Sequence, residues 1–224
     1  MKPVFSPLIE DLTLSYRWRP AQGLPAGLVV LMHGVGSNED SLLGLASYIS
    51  DDYSVALVRS PLAMAPGAYS AFAVSFTADG PKIDAVAAEN SRQQLLHFIP
   101  ELQLRYGIPA ERTLIGGFSQ GGIMSASLAL TAPTCIRGFA ILSGRILPEI
   151  RPLITSPQDL GHIAALVIHG DADDRLPPYW AEQSVSLLKE LGVPLQFLHY
   201  PIGHEITRDV AADVANWVHD LIPR

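Results

Sequence analysis

The 224 residues are 48% hydrophobic and 17% charged, which suits one enzyme-sized core and excludes a disordered chain. A net charge of −7 without any Lys/Arg cluster excludes nucleic acid as an expected partner, and a single cysteine, Cys135, excludes an internal disulfide. No run approaches the roughly 20 apolar residues of a bilayer-spanning helix. Residues 1–7 are interrupted by Pro3 and Pro7 and lack a secretory apolar stretch. The expectation is a single domain over 1–224, cytoplasmic, without membrane insertion.

In chain order, residues 12–19 alternate with period two, the pattern of a half-exposed antiparallel edge strand. Residues 28–33 form the first near-continuous apolar run, and a helix is expected over 40–50. Tyr53–Val58 is the next strand. Residues 60–81 resist the pattern: Pro61, Pro66, Gly67, Gly80 and Pro81 surround Tyr69, Phe72 and Phe76. This stretch reads as a long loop, either tucked on the surface or forming a wall of a binding pocket. A helix over 83–106 follows, kinked or split at Pro100 and stopped at Gly107. Strands at 112–116, Gly138–Leu142, 163–169 and Leu195–Tyr200 alternate with helices at Gln120–Thr131, 178–191 and 205–221. Short apolar strands separated by longer amphipathic segments predict an α/β fold with a mainly parallel sheet and helices on both faces.

The chemistry concentrates at four strand ends. The apolar strand before Gly117-Phe118-Ser119-Gln120-Gly121-Gly122 runs straight into a helix, the context of a nucleophile elbow. A glycine-rich turn with an incidental serine is the alternative, and strand before with helix after decides against it. A serine hydroxyl needs a base, and on this architecture acid and base follow in the order Ser, Asp or Glu, His. The strand at 163–169 ends in Gly170-Asp171-Ala172-Asp173-Asp174, so three aspartates compete for the acid role. Leu195–Tyr200 ends in Pro201-Ile202-Gly203-His204-Glu205, which makes His204 the histidine on a loop at the right edge, after the acid. His97 and His219 fall within helices, and His169 and His199 within strands, where structural roles are commoner. The first long strand ends in His33-Gly34-Val35-Gly36. There the Val35 amide, with that of Gln120, is expected to receive an oxyanion, and His33 is expected to fix the loop.

Those residues resemble the phospholipase/carboxylesterase family, which includes the acyl-protein thioesterases. His33-Gly34-Val35-Gly36, Gly117-Phe118-Ser119-Gln120-Gly121-Gly122, His169-Gly170-Asp171-x-Asp173 and Gly203-His204-Glu205 agree in order and spacing across nearly the whole chain. The resemblance implies an α/β-hydrolase fold without a large cap domain, and it assigns the acid to Asp173. Asn38-Glu39-Asp40 after the first glycines look closer to the bacterial carboxylesterase branch. Asp174 stands where the thioesterases often carry proline.

The expected function is a serine carboxylesterase: Ser119 attacks, His204 is the base, Asp173 orients it, and Val35 and Gln120 supply the oxyanion amides. The expected partner is a small-molecule ester, and no metal or organic cofactor is called for. Whether the chain forms a homodimer is left open. Phe72, Phe76, Leu147 and Leu176 are expected to line an acyl pocket. Two rivals stand beside this reading. One is an acyl-thioesterase or lysophospholipase using the same triad; the other is a hydrolase-like module that binds without turnover.

Overall fold

In five strands of the sheet, apolar residues face both ways, and the structure explains why. The computed structural model describes residues 4–77 and 80–223, and the side chains of residues 76 and 77 are outside the description. The elements run β1 (Tyr16–Arg19), β2 (Gly27–Met32), α1 (Leu43–Ala46), β3 (Tyr53–Val58), β4 (Leu62–Ala65), β5 (Ala68–Ser70), β6 (Val74–Thr77) and β7 (Gly80–Ile83). Then follow α2 (Ala85–Tyr106), β8 (Thr113–Phe118), α3 (Gln120–Thr131), β9 (Gly138–Leu142), α4 (Pro157–Leu160), β10 (Ala164–Gly170), α5 (Tyr179–Glu190), β11 (Leu195–Tyr200) and α6 (Arg208–Leu221).

A seven-stranded sheet has the order β1-β3-β2-β8-β9-β10-β11. All its pairings are parallel except β1 with β3, whose register sets Tyr16 opposite Val58. Alternate residues of the central strands enter two separate cores. Val30, Ile115, Ile141 and Val167 join one with Phe98 and Leu102 of α2, Leu128 of α3 and Leu188 of α5. Val29, Leu31, Leu114, Leu142 and Leu166 join the other with Leu45 of α1 and Val210, Val214 and Trp217 of α6. Strands covered on both faces cannot show a polar side, hence the continuous apolar runs.

Three expectations need correction. The helix expected over 40–50 is a 3₁₀ turn, Glu39–Leu42, followed by the single turn α1. The buried Arg19 guanidinium donates to the carbonyls of Ala46, Ile49, Ser50 and Tyr53, and a side chain that satisfies these groups removes the need for further helix. Pro100 does not split its helix: α2 continues through it, capped by the Asp84 carboxylate on the Ala87 amide and stopped at Gly107 with φ 65°. The stretch expected as a loop over 60–81 contains two antiparallel hairpins, β4 with β5 and β6 with β7. All four residues of β4 are exposed, so no face is buried and no period-two pattern is written into the sequence.

The order of the sheet places a crevice. From β2 the chain steps outward to β3, and after α2 it returns on the other side of β2 as β8. Ligands of open α/β sheets bind at such a reversal, outside the carboxyl ends of the strands. His33 and Ser119 follow directly on β2 and β8.

Candidate active site

Ser119 sits between β8 and α3 with φ 53° and ψ −115°, a left-handed conformation strained for any residue with a Cβ. The turn is held by crowding. A Cβ on Gly117 would lie 2.4 Å from the Met32 carbonyl oxygen and 2.6 Å from the carbonyl carbon of Gly121. A Cβ on Gly121 would lie 2.0 Å from the same Met32 oxygen. The spacing Gly-x-Ser-x-Gly is therefore the only one that lets β2 and the elbow touch. Ser119 also donates its own amide to Leu142 of β9 at 2.7 Å, tying the turn to the next strand.

β10 and β11 bring the next two groups. His204 Nδ1 lies 2.7 Å from Asp173 Oδ2. The other oxygen, Oδ1, accepts the amides of Arg175 at 3.0 Å and Leu176 at 2.8 Å, so the carboxylate is fully engaged although its side chain has no solvent exposure. A carboxylate can only accept, so Nδ1 carries the proton and Nε2 is the free base nitrogen. The Phe118 ring packs on the imidazole with centroids 4.7 Å apart. Among the described residues, Ser119 Oγ has no hydrogen-bond partner; such contacts tighten when substrate arrives. Asp171 is exposed and meets His199 at 3.1 Å, and Asp174 is exposed as well.

Two buried histidines shape the loops around this group. His33 Nε2 accepts the Ser60 amide at 3.1 Å, which forces the proton onto Nδ1, where it is donated to the Gly34 carbonyl at 2.7 Å. Burial lowers the His33 pKa, so the ring is held neutral. His169 Nε2 donates to the Leu176 carbonyl at 2.7 Å and closes the loop that presents Asp173. The loop after β2 is pinned from the other side, with Gly36 N donating to Tyr69 O and Tyr69 N to Ser37 O. Arg59 lies over the Tyr69 ring and bonds both oxygens of Glu39. Burial is the largest influence and would raise the Glu39 carboxyl, but the Arg59 hydrogen bonds, a backbone hydrogen bond and the charges of Arg59 and Arg17 together hold the group below its ordinary range.

Gln120 presents two groups to this region, its amide, which was expected at the oxyanion position, and its side chain. As the first residue of α3 its amide is free of the helical ladder, and Val35 faces it across the cleft. Its buried side chain was missed: Oε1 accepts the Ala71 amide at 2.7 Å and Nε2 donates to the Phe72 carbonyl at 2.8 Å, clamping the segment between the two hairpins to the elbow.

Two clefts flank Ser119 and share Val35, Ser119, Arg175 and His204. One, with about 410 Å³ of open space, is walled by Phe72, Val74, Pro81, Ile83, Ile123 and Leu176, with Arg145 also lining it. The other is bordered by Ser37, Ser41 and Glu205 and is more polar. Phe72 and Leu176 thus lie where a pocket was expected. Leu147 does not: it is buried against a separate groove beside Ala85, Glu89 and Leu153, because the chain after β9 turns away from Ser119 before reaching it. The Phe76 side chain lies outside the described residues. Arg145 was missed, although it follows β9 at the same carboxyl edge that marked the other site residues. Among the described residues no cluster of His, Cys, Asp and Glu suits a metal, and no helix is long and apolar enough to cross a membrane.

Known proteins resemble this chain over nearly its whole length. The chain is 27% identical over 225 residues to acyl-protein thioesterase 1 of Neurospora crassa, covering 92% of this chain and 91% of that one. A carboxylesterase from Mesorhizobium loti superposes with a TM-score of 0.84 at 26% identity, over 95% of this chain and 98% of the other. The Bacillus cereus carboxylesterase, at 19% identity and a TM-score of 0.81, covers 94% and 96% and shares the α/β-hydrolase fold. The sequence profile described as Phospholipase/Carboxylesterase matches residues 20–222. With fold and profile in agreement over nearly its whole length, this chain belongs to the phospholipase/carboxylesterase family of hydrolases.

Proposed function

We propose that the protein hydrolyses carboxylic esters of small or acyl-chain substrates through an acyl-enzyme on Ser119. The observation that carries the reading is the strained serine at the head of α3, sharing two clefts with a histidine whose far nitrogen is fixed by a buried carboxylate. Ser119 Oγ attacks the acyl carbonyl as His204 Nε2 takes its proton, and the Val35 and Gln120 amides stabilise the tetrahedral oxyanion. His204 returns that proton to the departing alcohol. A water deprotonated by the same nitrogen then attacks the acyl carbon, and as the bond to Ser119 Oγ breaks His204 gives that oxygen the proton and the acid is released. Asp173 holds the imidazole tautomer throughout. The apolar cleft suits the acyl group and the polar cleft the leaving alcohol, since an ester presents one arm on each side of the reacting carbon.

A thioester or lysophospholipid would use the same groups, and the Neurospora crassa relative is a named acyl-protein thioesterase. Hydrolysis of p-nitrophenyl esters from acetate to palmitate, with Ser119→Ala as control, tests the reading. Turnover that disappears in Ser119→Ala supports it, and the length optimum separates short-acyl from long-acyl substrates. Turnover unchanged in Ser119→Ala contradicts the assigned nucleophile.

A further inference from the structure

Arg145 is the one feature of the apolar cleft that hydrolysis of a plain aliphatic ester leaves without a task. It is only 4% exposed, yet among the described residues nothing accepts a hydrogen bond from its guanidinium and no carboxylate forms an ion pair with it. Glu149 acts on it only through space, and burial depresses its pKa. Burying a cation without a partner is costly and ordinarily avoided.

The surroundings hold the group in place without neutralising it. The guanidinium lies over the Trp180 ring, 4.3 Å from its centroid. The Ile146 amide donates to Ser184 Oγ, which in turn donates to the Trp180 carbonyl, so the backbone beside Arg145 is pinned to α5. Position matters equally. A Cβ on the preceding residue, Gly144, would lie 2.9 Å from the Ser119 carbonyl oxygen, so Arg145 begins one residue from the nucleophile's own backbone. Arg175 stands exposed at the rim, and among the described residues no Asp or Glu lines this cleft. In a chain of net charge −7, the described lining of this cleft thus carries two arginines and no carboxylate.

Resting on the esterase reading, we infer that the apolar cleft takes an acyl group ending in a carboxylate, with Arg145 as its counter-ion; the substrate class is the monoesters of short dicarboxylic acids. A planar guanidinium fixed over an aromatic ring matches a planar carboxylate in two parallel hydrogen bonds. The apolar walls then contact the methylenes between the two ends.

The test compares monomethyl glutarate with methyl valerate, in which a methyl group stands in place of the carboxylate. A second pair, 3-acetoxypropanoate and propyl acetate, puts the charge on the alcohol arm. The readout is the ratio of kcat/KM within each pair, so a general loss of activity cancels. The native protein is expected to favour monomethyl glutarate by about tenfold or more, the scale of a charge-assisted hydrogen bond. The ratio should collapse in Arg145→Met and recover in part in Arg145→Lys. A preference confined to the second pair overturns the assignment to the acyl arm. No preference in either pair, or a ratio unmoved by Arg145→Met, overturns the anion site altogether, while Ser119-dependent turnover of methyl valerate leaves the esterase reading standing. If no ester is turned over, the hydrolytic reading falls, and calorimetric titration with glutarate decides the anion site alone. Binding lost in Arg145→Met supports the site, and no binding to the native protein overturns it.

Discussion

The floor and the wall of the active-site cleft are built by different means. The floor, from Gly117 to Gly121, is fixed by backbone crowding: Met32, Ser119 and Leu142 meet at distances that admit no extra atom at two glycines. The wall, formed by the two hairpins between Ser60 and Ile83, lies outside the main sheet. It is tied to the body by side chains, Gln120 on Ala71 and Phe72, Ser91 on Ala71 and Arg59 over Tyr69, and by the backbone pairing of Tyr69 with Gly36 and Ser37. The floor is specified locally and the wall at a distance. On the proposed reading, chemistry that requires tight placement sits on the one, and selectivity on the other.

The contrast can be broken most sharply beside the floor, at the carboxylate that holds His204. Asp173→Asn should lower kcat by roughly 10⁴-fold, because an amide in place of the carboxylate offers His204 the wrong tautomer. Steady-state kinetics on a p-nitrophenyl ester reads this, and a loss below tenfold would remove Asp173 from the catalytic group. Gly121→Ala comes next. With its Cβ aimed 2.0 Å from the Met32 oxygen, the variant should lose about 10 °C or more in Tm. A thermal melt within 2 °C of native would show that the crowding relaxes more easily than the geometry implies.

At the wall the effects should be smaller and of another kind. Gln120→Ala keeps the backbone amide at the oxyanion position but leaves the buried Ala71 amide and Phe72 carbonyl without partners. We expect a loss of about 1–3 kcal/mol in denaturant unfolding. KM should rise more than kcat falls, and a kcat effect with KM unchanged would instead tie the side chain to the chemistry. The smallest effect lies at His33, which joins the two regions through Ser60 and Gly34. Its pKa is lowered by burial, so its contribution to stability is present above the ordinary imidazole value of 6.5 and is lost as pH falls through the folded value. Urea midpoints at about pH 7.5 and about pH 5.5 should differ more in the native protein than in His33→Gln. Equal differences would remove His33 from the acid sensitivity.

The same division governs what could be read in the sequence. Tyr53–Val58, Gln120–Thr131, Gly138–Leu142 and Leu195–Tyr200 stand at their expected bounds; for Tyr53–Val58 and Gly138–Leu142 mainly apolar, fully buried runs write the sheet into local sequence. The groups on the floor were legible for that reason: each follows a strand end. Asp173 needed the family resemblance, since three neighbouring aspartates are locally equivalent. The wall was illegible, because β4 is exposed along its length and the hairpins depend on Gln120, which approaches from α3. Arg145 escaped notice because a lone arginine after a strand gives no sign that it will be buried unpaired.

Peptide-mapped labelling with a fluorophosphonate tests the central claim most directly, since it asks whether Ser119 is an activated nucleophile before any substrate is known. The account predicts one adduct, on Ser119, forming quickly in the native protein and at least about 100-fold more slowly in His204→Ala. An adduct on another residue, or labelling of Ser119 that proceeds unchanged without His204, would contradict it.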